Sequence, residues 1–286
     1  MTGSFNPKSL AYLGTPDMSV PPLRALVAAG FDVEIVVTRA DKRRGRGGEL
    51  VPSPVKAAAA ELGLQVSHRV DDILGRNVEL GVVVAFGQII KPHVLEKVPM
   101  VNLHFSLLPR WRGAAPVERA MLAGDPVTGV CLMQLEEGLD TGPVYARSEV
   151  PIAAETTGDG LRARLVETGT ELLVASLTAG LGTPSAQVGE PTYAAKMSAD
   201  DWRIDWKQSP TQVDRLVRLG GAWTTFRGKR LKVVEAVLVG DRADDVLDGD
   251  CVGGLRLRRV QPEGKPSMSF ADFARGARLQ SGERVG

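Results

Sequence analysis

Val82-Val83-Val84-Ala85-Phe86 is apolar at every position, as expected of a strand buried on both faces. Outward from it the chain alternates strand-like and helix-like stretches. Leu10-Ala11-Tyr12-Leu13 runs into Gly14-Thr15-Pro16, a short strand ending in a turn. Residues 23–29 read as the helix behind it, and Val33-Glu34-Ile35-Val36-Val37-Thr38 as a second, β-branched strand. Ser53-Pro54 opens a helix that runs to Gly63, with proline at its first position. Residues 100–105 and 130–135 continue the series of apolar strands. Strands alternating with helices predict an α/β fold with a parallel sheet. Ligands of such sheets bind beyond the carboxyl ends of the strands, and Gly87, Asn102, His104 and Asp140 fall at or near such ends.

The C-terminal part has a different pattern. Residues 183–192, Thr-Pro-Ser-Ala-Gln-Val-Gly-Glu-Pro-Thr, are turn formers and read as a linker. Ser209-Pro210-Thr211-Gln212 is a capping box with proline at the first helical position, and Gly220-Gly221 stops the helix it starts. The runs Leu231-Lys232-Val233-Val234 and Leu255-Arg256-Leu257-Arg258 alternate, as in a small β-rich, barrel-like module. The expected division is a catalytic domain over 1–189, a junction over 190–206 and a second domain over 207–286. There are no internal repeats.

Composition narrows the class. A chain of 286 residues with 43% hydrophobic and 24% charged residues is an ordinary soluble one. No apolar run approaches the roughly 18 residues that span a bilayer. The polar start, Met1-Thr2-Gly3-Ser4-Phe5-Asn6-Pro7-Lys8, has no signal-peptide core, so a cytoplasmic location is expected; a monomer is expected as well. Cys131 and Cys251 form no Cys-x-x-Cys pair, which argues against a disulfide framework and a metal site. The net charge of +1 hides an asymmetry, because residues 203–286 hold 16 Lys/Arg against 11 Asp/Glu. Such an excess suits a polyanionic partner, and equally a solvated face.

The chemistry concentrates in residues 102–116, Asn-Leu-His-Phe-Ser-Leu-Leu-Pro-Arg-Trp-Arg-Gly-Ala-Ala-Pro, and in Leu139-Asp140-Thr141-Gly142. An amide polarises a carbonyl, an imidazole moves a proton near neutral pH, and a carboxylate orients the imidazole or takes its proton. Of the three histidines, His68, His93 and His104, only His104 sits at the mouth of a strand-like run before a turn. Asn102 and His104 are two residues apart, so on extended chain they share a face. Taken singly, Asn102 reads better as a turn residue and Asp140 better as a helix or loop cap. The neighbouring Ser-Leu-Leu-Pro tips the joint reading toward catalysis.

Asn102-Leu103-His104-Phe105-Ser106-Leu107-Leu108-Pro109 resembles the core signature of the superfamily that uses 10-formyltetrahydrofolate. The resemblance implies a catalytic trio of Asn102, His104 and Asp140, and a folate site that includes Ser106, Leu107, Leu108 and Pro109. It implies 10-formyltetrahydrofolate as formyl donor and no metal. Within the superfamily, four features are similar to the methionyl-tRNA formyltransferases. These are Arg110-Trp111-Arg112-Gly113-Ala114-Ala115-Pro116, the basic stretch Asp41-Lys42-Arg43-Arg44-Gly45-Arg46-Gly47-Gly48, the junction Thr192-Tyr193-Ala194-Ala195-Lys196 with Arg203-Ile204-Asp205-Trp206, and the basic C-terminal module. Ala40 and Phe105 depart from the family's usual residues. The fold implied is α/β, with an N-terminal Rossmann-like parallel-sheet formyltransferase domain and a smaller C-terminal β-rich, OB-like barrel that binds tRNA.

The implied partners are initiator methionyl-tRNA and folate, with no membrane. Arg43, Arg44 and Arg46 read as a mobile positive arm for tRNA phosphates; a bare solvated loop is the plain alternative. Trp202 and Trp206 read as core or interface residues. A sugar amine is the alternative acceptor, and a folate- or RNA-binding protein without catalysis is a third reading.

Overall fold

The computed structural model describes residues 5–44, 48–280 and 282–286. Its elements in chain order are β1 (Ser9–Gly14), α1 (Val20–Ala28), β2 (Asp32–Val37), β3 (Lys42–Arg44), β4 (Glu49–Val51), α2 (Pro54–Glu61), β5 (Val66–Ser67), β6 (Leu80–Val84), α3 (Pro92–Leu95), β7 (Met100–His104), β8 (Arg112–Gly113), α4 (Pro116–Ala123), β9 (Val127–Gln134), β10 (Val144–Pro151), α5 (Gly158–Ala179), β11 (Tyr193–Ala194), α6 (Pro210–Leu219), β12 (Trp223–Phe226), β13 (Lys229–Leu238), β14 (Cys251–Val252), β15 (Leu255–Pro262), β16 (Met268–Ser269) and α7 (Phe270–Ala277). They form two compact units. One holds residues 1–116, 127–151 and 162–195, the other residues 117–126, 152–161 and 196–286.

The first unit is built on a seven-stranded sheet of order β10-β9-β7-β6-β1-β2-β5. From β7 to β5 the neighbours are parallel, the Rossmann-like part of the fold. Val82, Val83 and Val84 are buried in β6, between β1 and β7, as their unbroken apolar run requires. Ser53 caps α2 by accepting from the Lys56 amide at 3.0 Å, which satisfies one of the helix's orphan donors.

The strand expected at 130–135 departs from the parallel series. β9 runs antiparallel to β7 and forms a hairpin with β10. Strand direction depends on the end of the sheet at which the connection returns, which the apolar pattern of a strand does not encode. Within the basic stretch, β3 pairs antiparallel with β4, with Arg43 opposite Leu50.

α5 is a helix that the apolar pattern of the sequence does not announce. Its Leu165, Leu173 and Leu177 are buried on the stripe that also carries Gly169, four residues from Leu165 and from Leu173. A Cβ at Gly169 would lie 3.1 Å from side-chain atoms of Leu103 and of Val130. The glycine lets the helix approach β7 and β9 closely, directly beneath the strand that ends in His104.

The second unit is an antiparallel sheet of order β12-β13-β15-β14, with β16 on β15. Its core contains Trp206, Val213, Leu216, Phe226, Leu231, Val233, Leu257, Phe270 and Phe273. The capping box is formed by Ser209 and Gln212, and Gly220, with φ 94°, ends α6 in the left-handed region. Trp206 is buried and donates its Nε1–H to Thr224 Oγ1 at 3.0 Å, while half-buried Trp202 packs against the same core.

Gly169→Val should lower stability by about 1–3 kcal/mol, since the added side chain has no room between α5 and the sheet. Urea or thermal unfolding would read this as a lower midpoint; an unchanged midpoint would contradict the close approach.

Candidate active site

β7 sets two of the candidate side chains. Asn102 pairs with Val83 on one side and Met133 on the other, and His104 pairs with Cys131. Their alternation on an extended strand puts both on one face. The His104 side chain is only 6% exposed. Its Nε2–H donates to the carbonyl oxygen of Trp111 at 2.9 Å. A carbonyl oxygen only accepts, so the hydrogen of the neutral ring sits on Nε2 and the lone pair on Nδ1.

That carbonyl is itself held in place. Trp111 has φ 63°, a left-handed conformation that a residue with a Cβ adopts only under external support. Its N–H donates to Thr192 Oγ1 at 2.9 Å, and the Arg110 guanidinium lies 4.5 Å from its ring centroid. The next residues form β8, which pairs in parallel with β11.

Asp140 arrives by an unexpected route. Because β9 is antiparallel, its chain exits beside the start of β7, where the Leu135 N–H donates to Met100 O at 2.8 Å. The loop then doubles back along β7. Asp140 sits in it at φ 51°. Its Oδ2 accepts the Gly113 peptide N–H at 2.7 Å and lies 3.7 Å from His104 Nδ1. Its Oδ1 faces Asn102 Nδ2 at 3.5 Å. The amide, the imidazole and the carboxylate therefore share one small volume, with the carboxylate side chain 11% exposed.

Gly113 has φ 117°, and a Cβ there would lie 2.9 Å from the Ala194 carbonyl oxygen. A side chain would displace β11 and withdraw the peptide N–H that holds the carboxylate. Gly142 is equally constrained, since a Cβ would fall 2.0 Å from Gln134 O.

The Ser-Leu-Leu-Pro turn is more internal than its motif suggests. Ser106 is fully buried and donates its hydroxyl to Arg110 O at 2.5 Å. Leu108 is buried with Cys131, Met133 and Val144. Burial pushes the Cys131 thiol up from its ordinary range, so it is an inert packing group. Leu107 and Pro109 are partly exposed. A ligand at this turn would meet those two side chains and the backbone, while Ser106 and Leu108 shape the turn from below.

The structure brings Asn102, His104 and Asp140 together. Arg43 and Arg44 lie in β3, where Arg43 is exposed and outside the trio's hydrogen-bond network. Arg46 falls outside the described residues. Sequence reasoning does not reach the Trp111 carbonyl, the Gly113 amide, Thr192 or Gln187. The last two belong to the stretch expected to be a linker. It instead packs along the first unit, with Ser185 bridged to Val144 and Gln187 bonded to Asp140 O and Gly142 O. In the second unit, the guanidiniums of Arg230 and Arg203 lie over the ring of Trp223, at 4.6 and 5.8 Å. Among the described residues, no group of three or more His, Cys, Asp or Glu side chains is placed to hold a metal, and no helix is long and apolar enough to cross a membrane.

Comparison with known proteins adds the following. Residues 10–177 match the formyl transferase family model, and residues 196–278 match that of the formyl transferase C-terminal domain. The methionyl-tRNA formyltransferase of Thermobifida fusca is 43% identical, over 97% of this chain and 99% of its own. Among solved structures, methionyl-tRNA formyltransferase from Clostridium thermocellum superposes with a TM-score of 0.58, 13% identity and coverage of 89% of this chain and 97% of that one. HypX from Aquifex aeolicus, solved in complex with tetrahydrofolic acid, gives a TM-score of 0.63 at 18% identity, over 94% of this chain. This chain spans 47% of HypX. At these identities, the two structures speak to the fold.

Proposed function

The chain belongs to the methionyl-tRNA formyltransferase family, and from that membership we propose that it transfers the formyl group of 10-formyltetrahydrofolate to the α-amino group of methionyl-initiator tRNA, giving N-formylmethionyl-tRNA. The observation that carries this reading is the likeness along the whole chain to relatives of that name. A sugar amine as acceptor leaves that full-length match unexplained, together with the basic stretch around Arg43. Translation initiation supplies the acceptor, so the reaction belongs in the cytoplasm.

The donor set suits acyl transfer. The donor substrate supplies a formyl carbon bound to a nitrogen leaving group. Attack by the amine forms the new C–N bond and drives negative charge onto the formyl oxygen. The Asn102 amide has two N–H groups; one faces Asp140, and the other serves that oxygen. A preorganised donor of this kind is worth about 3 kcal/mol in acyl transfer. His104 Nδ1 takes up the proton that the attacking amine must lose. The imidazolium so formed lies between two acceptors, Trp111 O and Asp140 Oδ2. The proton then passes to the departing nitrogen, so the transfer is proton-neutral overall.

The folate contacts proposed are the backbone of the 106–109 turn with Leu107 and Pro109. Ser106 and Leu108 support them from within. The tRNA contacts proposed are Arg43, Arg44 and Arg46, with the second unit as a further RNA surface. Trp223, with two guanidiniums over its ring, offers that unit a stacking group beside fixed positive charge.

Formylmethionine should form when the protein is mixed with 10-formyltetrahydrofolate and charged initiator methionyl-tRNA. His104→Ala should keep its circular dichroism and lose at least about 100-fold in turnover. A variant retaining more than about a tenth of wild-type turnover would remove His104 from the mechanism.

For the basic stretch, Arg46→Ala should lower kcat/KM for tRNA and leave the donor KM unchanged. The log–log salt slope of tRNA binding should flatten by roughly one unit for each phosphate that the arginine neutralises in the wild type. Superimposable slopes and unchanged tRNA kinetics would make this charge only a solvated surface.

A further inference from the structure

The side-chain amide of Gln187 has every polar bond it can make directed at the walls of the candidate site. Both Nε2 hydrogens are used, one to Asp140 O and one to Gly142 O, each at 2.8 Å. Its Oε1 accepts from Arg112 Nε at 3.1 Å and from Arg112 Nη2 at 2.7 Å. Arg112 immediately precedes Gly113, whose N–H holds the Asp140 carboxylate. One half-buried amide thus ties the backbone that carries Asp140 to the strand that anchors its side chain.

We propose that Gln187 is a positioning residue for formyl transfer, keeping the 140–142 turn in the one conformation that leaves the Asp140 carboxylate against Asn102 and His104. The proposal rests on the reading that Asp140 takes part in the reaction.

Three physical facts make Gln187 more than a tether for its own segment. First, Asp140 lies at φ 51°, a left-handed conformation that aspartate tolerates better than most residues but that is still sparsely populated, so its neighbours help to select it. Second, the Asp140 and Gly142 carbonyls converge on a single nitrogen. Without that donor, two like dipoles face each other with no compensating hydrogen, and the turn must open to solvate them. Third, the turn has no slack on its other side, where Gly142 is pressed against the Gln134 carbonyl. Relaxation therefore carries Asp140 away from its partners, whose separations of 3.5 and 3.7 Å leave little margin. Misplacing a reacting group by about 1 Å costs on the order of 100-fold in rate.

Two variants separate these bonds. Gln187→Leu removes all of them. Gln187→Glu keeps the shape and the acceptor for Arg112, and turns an oxygen toward the two carbonyls. Each is made alone and in the Asp140→Asn background, and all are assayed for formylation of methionyl-tRNA with kcat, donor KM and melting temperature. The proposal expects both Gln187 variants to lose at least about tenfold in kcat, with donor KM and melting temperature close to wild type. In the Asp140→Asn background either change should cost less than about twofold, because the group that Gln187 positions is already disabled. Wild-type kcat in Gln187→Glu would transfer the importance to the Arg112 bond and overturn the proposal. So would losses that multiply with Asp140→Asn, since Gln187 would then act independently of the carboxylate. If Asp140→Asn itself keeps wild-type kcat, the catalytic reading of Asp140 fails and takes the proposal with it. Should Gln187→Leu not fold, the isosteric Gln187→Glu carries the same comparison.

Discussion

The bond from the Gly113 peptide N–H to Asp140 Oδ2, 2.7 Å long, is the interaction on which the site depends. A charged acceptor on a fixed backbone donor is among the stronger hydrogen bonds a protein makes. It needs Gly113 at φ 117° with no side chain, because β11 runs too close for one. It needs β11 itself, whose Ala194 carbonyl accepts from the Ala114 and Ala115 amides. It also needs the 135–143 loop to double back beside β7, which follows from β9 being antiparallel. Two residues of the junction, 193–194, thereby govern where a carboxylate far earlier in the chain can stand.

A second constraint sits on the other side of the ring. His104 is buried, and both of its nitrogens face oxygens, Trp111 O at 2.9 Å and Asp140 Oδ2 at 3.7 Å. Water is mostly excluded there, so local dipoles act with less screening than in bulk. A neutral ring satisfies one oxygen and offers a lone pair; a protonated ring satisfies both. On the proposed mechanism, such a ring carries a proton between the bond-forming and bond-breaking steps. The left-handed Trp111 and Asp140 are the local strain that this arrangement requires.

Much of this was legible in the sequence. The apolar run 82–84, the Ser53 cap and the Ser209 box each carry their structural meaning in a few adjacent residues. The i, i+2 spacing of Asn102 and His104 fixes their common face once β7 is a strand. What was hidden is non-local. Nothing in 127–134 states strand direction, because that depends on where the chain re-enters the sheet. Glycines at 158, 160 and 169 dilute the apolar stripe of α5, although Gly169 is there because the helix packs so closely. The stretch 183–192 looks like a tether because turn formers dominate it, and the docking of Gln187 and Thr192 rests on single side-chain bonds that no periodicity announces. Trp223 gains its interest only from two arginines whose place beside it is set by the fold.

The protonation of the His104 ring tests this account most directly. Nitrogen-15 NMR of the imidazoles, with His104 assigned through His104→Gln, reports which ring nitrogen bears hydrogen. The geometry predicts hydrogen on Nε2, donated to Trp111 O, whether or not Nδ1 is also protonated. A neutral ring carrying its hydrogen on Nδ1 would break the bond to Trp111, reverse the role given to Asp140 and contradict the arrangement from which the chemistry was derived.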